Sequence, residues 1–339
     1  MKAIFRCDAT AGIGFGHLSR CMALAEGLRA FGTSSIFAGA FDPGARDQLD
    51  AAGFARVDLD GPVATDRADR QFSDLATCEA PDFLVLDSYR VDEGRLADLA
   101  PFAGATIVID DFKALEVYPC DVVLNFTWSA SSLAYPPGPR LLLGPEYFLV
   151  RRALVALRPR SLEHVRASVV RNLLVAIGGA DPKRLAARVA SILRVGHPDL
   201  CLRVVAANAA DAADMVAGFA PGSLVLPRQP DLAEALLWAD AAVTGGGLIK
   251  YESGFMGVPA AALSQNAGQA GETQTLAQAG LVFDLGLADE RSDADLARDV
   301  ERFLADAALR EGLAARMRES FPPDPPANAA RAIVEAIGR

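Results

Sequence analysis

Apolar positions in the first half of the chain fall into short unbroken runs, separated by stretches with a helical period. Ala3 to Arg6 is a short run suited to a buried first strand. From Leu18 the period changes: Leu18, Cys21, Met22, Ala25 and Leu28 recur at three and four, the mark of a helix with one buried face, and Gly32 stops it. Further strands are expected near Ser35 to Phe37, Phe54 to Val57, Phe83 to Asp87, Thr106 to Asp110, Val122 to Asn125 and Leu141 to Leu143. Several are continuous aliphatic runs, as in a parallel sheet covered on both faces. Residues 158–166 become basic and break at Pro159, which reads as an interdomain connection. A second α/β pattern then starts with Leu173 to Ile177 and continues through Leu202 to Ala206, Leu224 to Leu226, Ala241 to Thr244 and Ala260 to Leu263. Near the end, Pro322-Pro323-Asp324-Pro325-Pro326 interrupts a helical stretch that resumes from Ala327 to Ile337. The expected fold is α/β: two doubly wound, Rossmann-like domains facing a cleft. The expected boundaries are 1–158 and 168–320, with a terminal helical segment, 321–339, crossing back to the first domain.

The chemistry concentrates at two glycine turns. The first, Arg6-Cys7-Asp8-Ala9-Thr10-Ala11-Gly12-Ile13-Gly14-Phe15-Gly16-His17, joins a strand to a helix. Its glycines permit close approach of a ligand to the main chain, and the following helix aims unpaired N–H groups at the same place, an arrangement suited to an anion. It is not a dinucleotide fingerprint, because Ser19 stands where the third glycine of G-x-G-x-x-G belongs, and no Gly-Lys-Ser/Thr follows to make a P-loop. The plainer alternative is a tight turn with His17 capping the helix. The second turn, Thr244-Gly245-Gly246-Gly247-Leu248-Ile249-Lys250-Tyr251-Glu252, again runs from strand to helix and can hold a diphosphate on backbone amides. Glu252 lies inside that helix, either as an acceptor for ribose hydroxyls or on a solvated face. Asp87-Ser88-Tyr89, Asp110-Asp111 and Asn125 fall where strands emerge at the carboxyl edge, where α/β sheets collect ligands. Taken singly, each is as well read as a helix cap or turn residue.

Composition narrows the classes. A chain of 339 residues, about half of them apolar, has room for two cores at about 150 residues per domain. A formal net charge of -10 argues against a nucleic-acid partner. No apolar run is long enough for membrane insertion, and no signal peptide is apparent. The five cysteines form no C-x-x-C pair, and His17, His164 and His197 are scattered, so the expectation is a reducing cytoplasm, no metal and no cofactor.

The opening R-x-D-x-x-x-x-I-G-x-G-H-x-x-R-C-x-x-L-A, here Arg6 through Ala25, resembles the UDP-2,4-diacetamido-2,4,6-trideoxy-β-L-altropyranose hydrolases of pseudaminic acid biosynthesis. The likeness takes in Asp87-Ser88-Tyr89, Asp110-Asp111, Cys120-Asp121 through Asn125, Gly144-Pro145-Glu146-Tyr147, Gly178-Gly179-Ala180-Asp181-Pro182 and the Glu252 segment. That family resembles the two-domain GT-B glycosyltransferases, including the enzyme that adds N-acetylglucosamine to lipid-linked peptidoglycan precursor. The resemblance implies a metal-independent UDP-sugar hydrolase with His17 as the catalytic residue, supplying sugar for surface or flagellin glycosylation. It places Arg6, Gly14, Gly16, Tyr89, Asp110 and Asn125 on the sugar side. Gly178, Gly179, Gly246, Gly247, Leu248, Glu252 and Gln269 fall on the UDP side. The chain departs from the family at Leu248, Ile249 and Lys250, where small hydroxyl residues are usual. Gln265-Asn266 and Gly268-Gln269 each offer an amide to the nucleotide, with Gln269 favoured by its spacing to Leu276-Ala277-Gln278-Ala279-Gly280.

The chemistry supports the same reading. UDP is a good leaving group, so hydrolysis at the anomeric carbon needs one base for water and donors for the diphosphate, not the paired carboxylates of ordinary glycosidases. His17 suits the base, and Asp8 is the candidate to orient its ring or bind sugar. The expected partner is a small UDP-sugar met by a monomer. A GT-B glycosyltransferase and a catalytically silent nucleotide-sugar binder are the alternatives.

Overall fold

The computed structural model describes residues 1–178, 181–206, 212–227 and 231–338. The chain divides into two compact units, Met1–Arg152 with Asp324–Arg339, and Ala153–Pro323.

The first unit carries a seven-stranded sheet of β1 (Lys2–Cys7), β2 (Ser34–Gly39), β3 (Ala55–Asp58), β4 (Phe83–Asp87), β5 (Ala105–Ile109), β6 (Val122–Asn125) and β7 (Arg140–Leu143). Every pairing is parallel, in the order β3-β2-β1-β4-β5-β6-β7. β4 and β5 are buried at every position, as their largely apolar sequences require in a sheet covered on both faces. One face packs Ile4, Leu84, Leu86 and Val108 against Phe72 and Leu96. The helix Gly16–Arg29 buries Leu18, Cys21, Ala25 and Leu28 of its expected period together with Leu24, while Met22 is only half-buried. Against it lies the helix Pro325–Ile337, and the two come so close that a Cβ on Gly27 would stand 2.8 Å from the Pro326 carbonyl oxygen. Asp324 caps that last helix by accepting from the Ala327 N–H at 3.1 Å.

The second unit holds a six-stranded parallel sheet of β8 (Asn172–Ala176), β9 (Cys201–Ala206), β10 (Leu224–Pro227), β11 (Ala241–Gly245), β12 (Ala260–Ser264) and β13 (Phe283–Leu287). The order is β10-β9-β8-β11-β12-β13. Its core gathers Leu173, Val175, Val189, Leu193, Val204, Val243 and Phe303. β13 is absent from the sequence reading because Asp284 and Gly286 break its apolar run. Asp284 accepts from the Gly286 N–H at 2.7 Å, Gly286 has φ +85°, and the β12 register shifts alongside, between Ala262 and Leu263.

The basic stretch around Pro159 is a correction to the sequence reading: it is a helix, Arg152–Glu163, with Pro159 inside it. Proline forfeits one backbone hydrogen bond there, and tertiary contacts on either side hold the turn. Arg158 donates to the carbonyls of Phe255, Arg318 and Phe321 at 3.0 to 3.1 Å and stacks on the Phe255 ring, while Ser161 donates to the Met256 carbonyl at 2.7 Å.

Both sheets reverse their strand order once, β1 against β4 in the first and β8 against β11 in the second. Connections leave in opposite directions at such a point, which opens a crevice at the carboxyl edge. Each of the glycine turns picked out from the sequence lies at one of these crevices.

Candidate functional site

In the first unit the chain leaves β1 at Cys7 and folds a tight loop. The Ile13 and Gly14 N–H groups both donate to the Thr10 carbonyl, and Gly14 takes φ +90°, which a side chain would oppose. The helix then begins at exposed Gly16, with Phe15 at the cap position and no side-chain cap bond. His17 is therefore not the cap. It sits in the first helical turn, 6 % exposed, with its ring turned toward β4.

Register brings its partner there, because Cys7 of β1 lies opposite Asp87 of β4. His17 Nδ1 stands 2.6 Å from Asp87 Oδ1. Arg20, one helical turn after His17, clamps the same carboxylate through Nε at 3.0 Å and Nη2 at 2.6 Å, and reaches Asp111 through Nη1 at 2.5 Å. Its Nη2 also lies 2.8 Å from His17 Nδ1. The carboxylate can only accept and the guanidinium only donate, so Nδ1 bears the proton in the tautomer that answers Asp87 and the lone pair in the one that answers Arg20. The tautomer that donates to Asp87 has its lone pair on Nε2, the arrangement a general base requires.

The electrostatics keep Asp87 and Arg20 charged. Burial would raise the Asp87 carboxyl, but the Arg20 guanidinium and His17 outweigh it and keep it below the usual carboxylate range. Burial would likewise lower Arg20, and Asp111 and Asp87 outweigh it, holding the guanidinium well above its ordinary value. On the solvent side, Tyr89 meets the imidazole edge-on at 4.6 Å and donates its hydroxyl to Asp111 at 3.1 Å. Phe112 lies beside it at 5.2 Å. Both rings are exposed, so aromatic surface borders His17.

The expectation that Asp8 orients the ring is not met: Asp87 does so. Asp8 accepts from Arg6 at 2.6 Å and from the N–H groups of Ala40 and Val63 at 2.9 and 2.8 Å, which fixes three neighbouring segments. Arg6 is buried at 2 % exposure as its counter-charge. Asp110 likewise accepts from Phe112 N, Ala114 N and the Tyr118 hydroxyl. Asn125 accepts from Thr127 and donates to the Tyr135 hydroxyl. These last two shape the edge loops that carry Phe112 and Trp128. Arg20 and Phe112 were not singled out as site residues by the sequence, and Asp87 and Asp111 only as residues at strand ends. The available signal was the three-residue spacing from His17 to Arg20, which puts both on one helical face.

In the second unit the turns after β8 and β11 touch. A Cβ on Gly245 would fall 1.9 Å from the Ile177 carbonyl oxygen, so only glycine fits. Gly178 follows with φ +154°, and Gly179 lies outside the described residues. A Cβ on Gly246 would meet Ser264 Oγ at 2.6 Å and Gln269 Cβ at 2.8 Å. Leu248 opens the helix Leu248–Phe255, whose Glu252 is buried at 4 % exposure and so is not on a solvated face. Asn266 spends its side chain capping the helix Ala267–Gln278 through the Gln269 N–H. Gln269 accepts from Gln265 N at 3.0 Å, and its Nε2 stands 3.9 Å from where a Gly247 Cβ would lie. Gln269 is thus the amide that faces the glycine turn. Across the turn, Lys183 bridges the Gln265 carbonyl and Asp289.

Among the described residues, no three His, Cys, Asp or Glu side chains are grouped as a metal site, and no helix is long and apolar enough to cross a membrane.

No protein-family model matches the chain. It is 29 % identical over 240 residues, 68 % of its length and 70 % of the relative's, to the spore coat polysaccharide biosynthesis protein SpsG of Bacillus subtilis. Among solved structures it superposes over 100 % of its length on 99 % of MurG from Acinetobacter baumannii, with a TM-score of 0.68 and 18 % identity. It also superposes on all of the spinosyn forosaminyltransferase SpnP, with a TM-score of 0.67 and 16 % identity. Two parallel α/β sheets of seven and six strands, matched over their whole length by these structures, are the GT-B fold.

Proposed function

We propose that the chain displaces UDP from the anomeric carbon of a UDP-linked 2,4-diacetamido-trideoxy sugar, with water as nucleophile and His17 as base. The observation that carries this reading is the His17–Asp87 pair at the first crevice, held by Arg20; donation from Nδ1 to Asp87 puts the acceptor at Nε2. In the reaction, Nε2 takes a proton from water as the water oxygen bonds to the anomeric carbon. The bond from that carbon to the β-phosphate oxygen breaks, and its electron pair leaves with UDP. Asp87 stabilises the imidazolium that forms. Attack opposite the departing UDP inverts the anomeric centre. In the second unit, Gly178, Gly246, Gly247 and the first amides of the helix at Leu248 receive the diphosphate, and Glu252 and Gln269 hold the nucleoside.

The choice of sugar rests on the motif from Arg6 to Ala25, and likeness to a polysaccharide biosynthesis protein agrees with a sugar-nucleotide substrate. The product would feed nonulosonate synthesis in the cytoplasm. A second reading, transfer of the sugar to an acceptor hydroxyl, is favoured by the whole-chain likeness to a forosaminyltransferase, and the same base would serve it.

The assay is UDP release from candidate UDP-sugars with no acceptor and with EDTA present. Steady release proportional to enzyme is expected. Release only on adding an acceptor would replace the hydrolase with the transferase, and a strict need for added metal would remove the amide-based diphosphate site.

A further inference from the structure

Resting on the UDP-binding reading above, we infer that Lys250 is the positioning residue that sets the second glycine turn for a diphosphate. Lys250 is the third residue of the helix Leu248–Phe255 and is 3 % exposed. Its ammonium group donates to the Gly246 carbonyl and, at 3.4 Å, to the Gly247 carbonyl. In a trans peptide the C=O and the following N–H point to opposite sides. Drawing those two carbonyls onto Lys250 therefore turns the N–H groups of Gly247 and Leu248 the other way. There they join the amides of the first helical turn.

The neighbouring residues make this device necessary. Leu248 and Ile249 have no side-chain donor, so these two residues can meet a phosphate only through their main-chain amides. The chain has a formal net charge of -10, and a diphosphate needs local positive potential. One buried ammonium behind the amide array supplies it without occupying the array. The geometry makes Lys250 selective for the phosphates over the nucleoside.

Calorimetry of UDP and uridine on wild type, Lys250→Met and Lys250→Arg tests this. Lys250→Met is expected to weaken UDP by about 10- to 100-fold, the worth of a charge-assisted interaction, and to leave uridine unchanged, while Lys250→Arg recovers part of the UDP affinity. An equal fall for both ligands, or an unchanged ratio between them, overturns the inference. Should Lys250→Met not fold, Lys250→Gln keeps a donor without the charge and is held to the same ratio. If neither folds, Lys250 is purely structural and the inference fails. Wild type that binds no UDP removes the functional reading itself, whereas wild type that binds UDP beside variants of unchanged ratio removes only the role of Lys250.

Discussion

His17→Asn is expected to lower turnover of the UDP-sugar by roughly 100- to 10,000-fold, the usual worth of a positioned general base, with UDP affinity nearly unchanged. Asparagine can still donate to Asp87 from its amide, so the buried carboxylate keeps a partner and the fold survives. What disappears is the second nitrogen: an amide offers no basic atom where Nε2 stood. The expected kinetic signature is a fall in kcat without a matching rise in the UDP dissociation constant. Normal turnover combined with poor UDP binding would make His17 a phosphate ligand and send the search for the base to another residue of the same edge.

Asp87→Asn should be nearly as damaging to turnover and far more so to stability. Asp87 is fully buried and answers both Arg20 and His17, so removing its charge leaves Arg20 with Asp111 alone. Breaking one partner out of a buried ion pair costs roughly 3 to 5 kcal/mol. The amide can also present its N–H₂ to Nδ1, which fixes the proton on Nε2 and disables the base, for a rate loss again of roughly 100- to 10,000-fold. The pH dependence has a definite sign. The folded Asp87 carboxyl lies below the usual carboxylate range, because Arg20 and His17 outweigh the burial that would raise it. Its stabilising contribution is therefore complete above the unfolded value of about 3.9 and is lost as pH falls through the folded value. Urea titrations from neutral pH down into this range should show a wild-type loss of stability that is smaller in Asp87→Asn. Parallel curves for the two proteins would mean that the carboxylate is not held by these partners.

What the sequence shows of this architecture follows from where its physics is local. β4 and β5 are legible because their runs are apolar but for Asp87 and Thr106, and the His17 turn because strand, glycines and helical period lie within one short stretch. β13 is hidden by Asp284 and Gly286, whose bulge satisfies the backbone but breaks the pattern. The helix across Pro159 depends on Arg158 and Ser161 gripping carbonyls some 95 to 164 residues away. The choice between Asp8 and Asp87 has the same cause. Both acids stand at strand ends, and only the pairing of β1 with β4 decides which of them faces the imidazole. Near the second turn, spacing alone favours Gln269, and the capping bond that occupies the Asn266 side-chain oxygen is visible only in the folded chain.

The most direct test of the central claim is turnover of the UDP-sugar in ¹⁸O-water without acceptor, followed by mass spectrometry of both products and immediate NMR of the released sugar. If His17 activates water for attack at the anomeric carbon, one label enters the sugar at that carbon, none enters UDP, and the first-formed anomer has inverted configuration. Label in UDP would show that a phosphorus–oxygen bond was cut and would contradict the account, as would a sugar first released with its configuration retained.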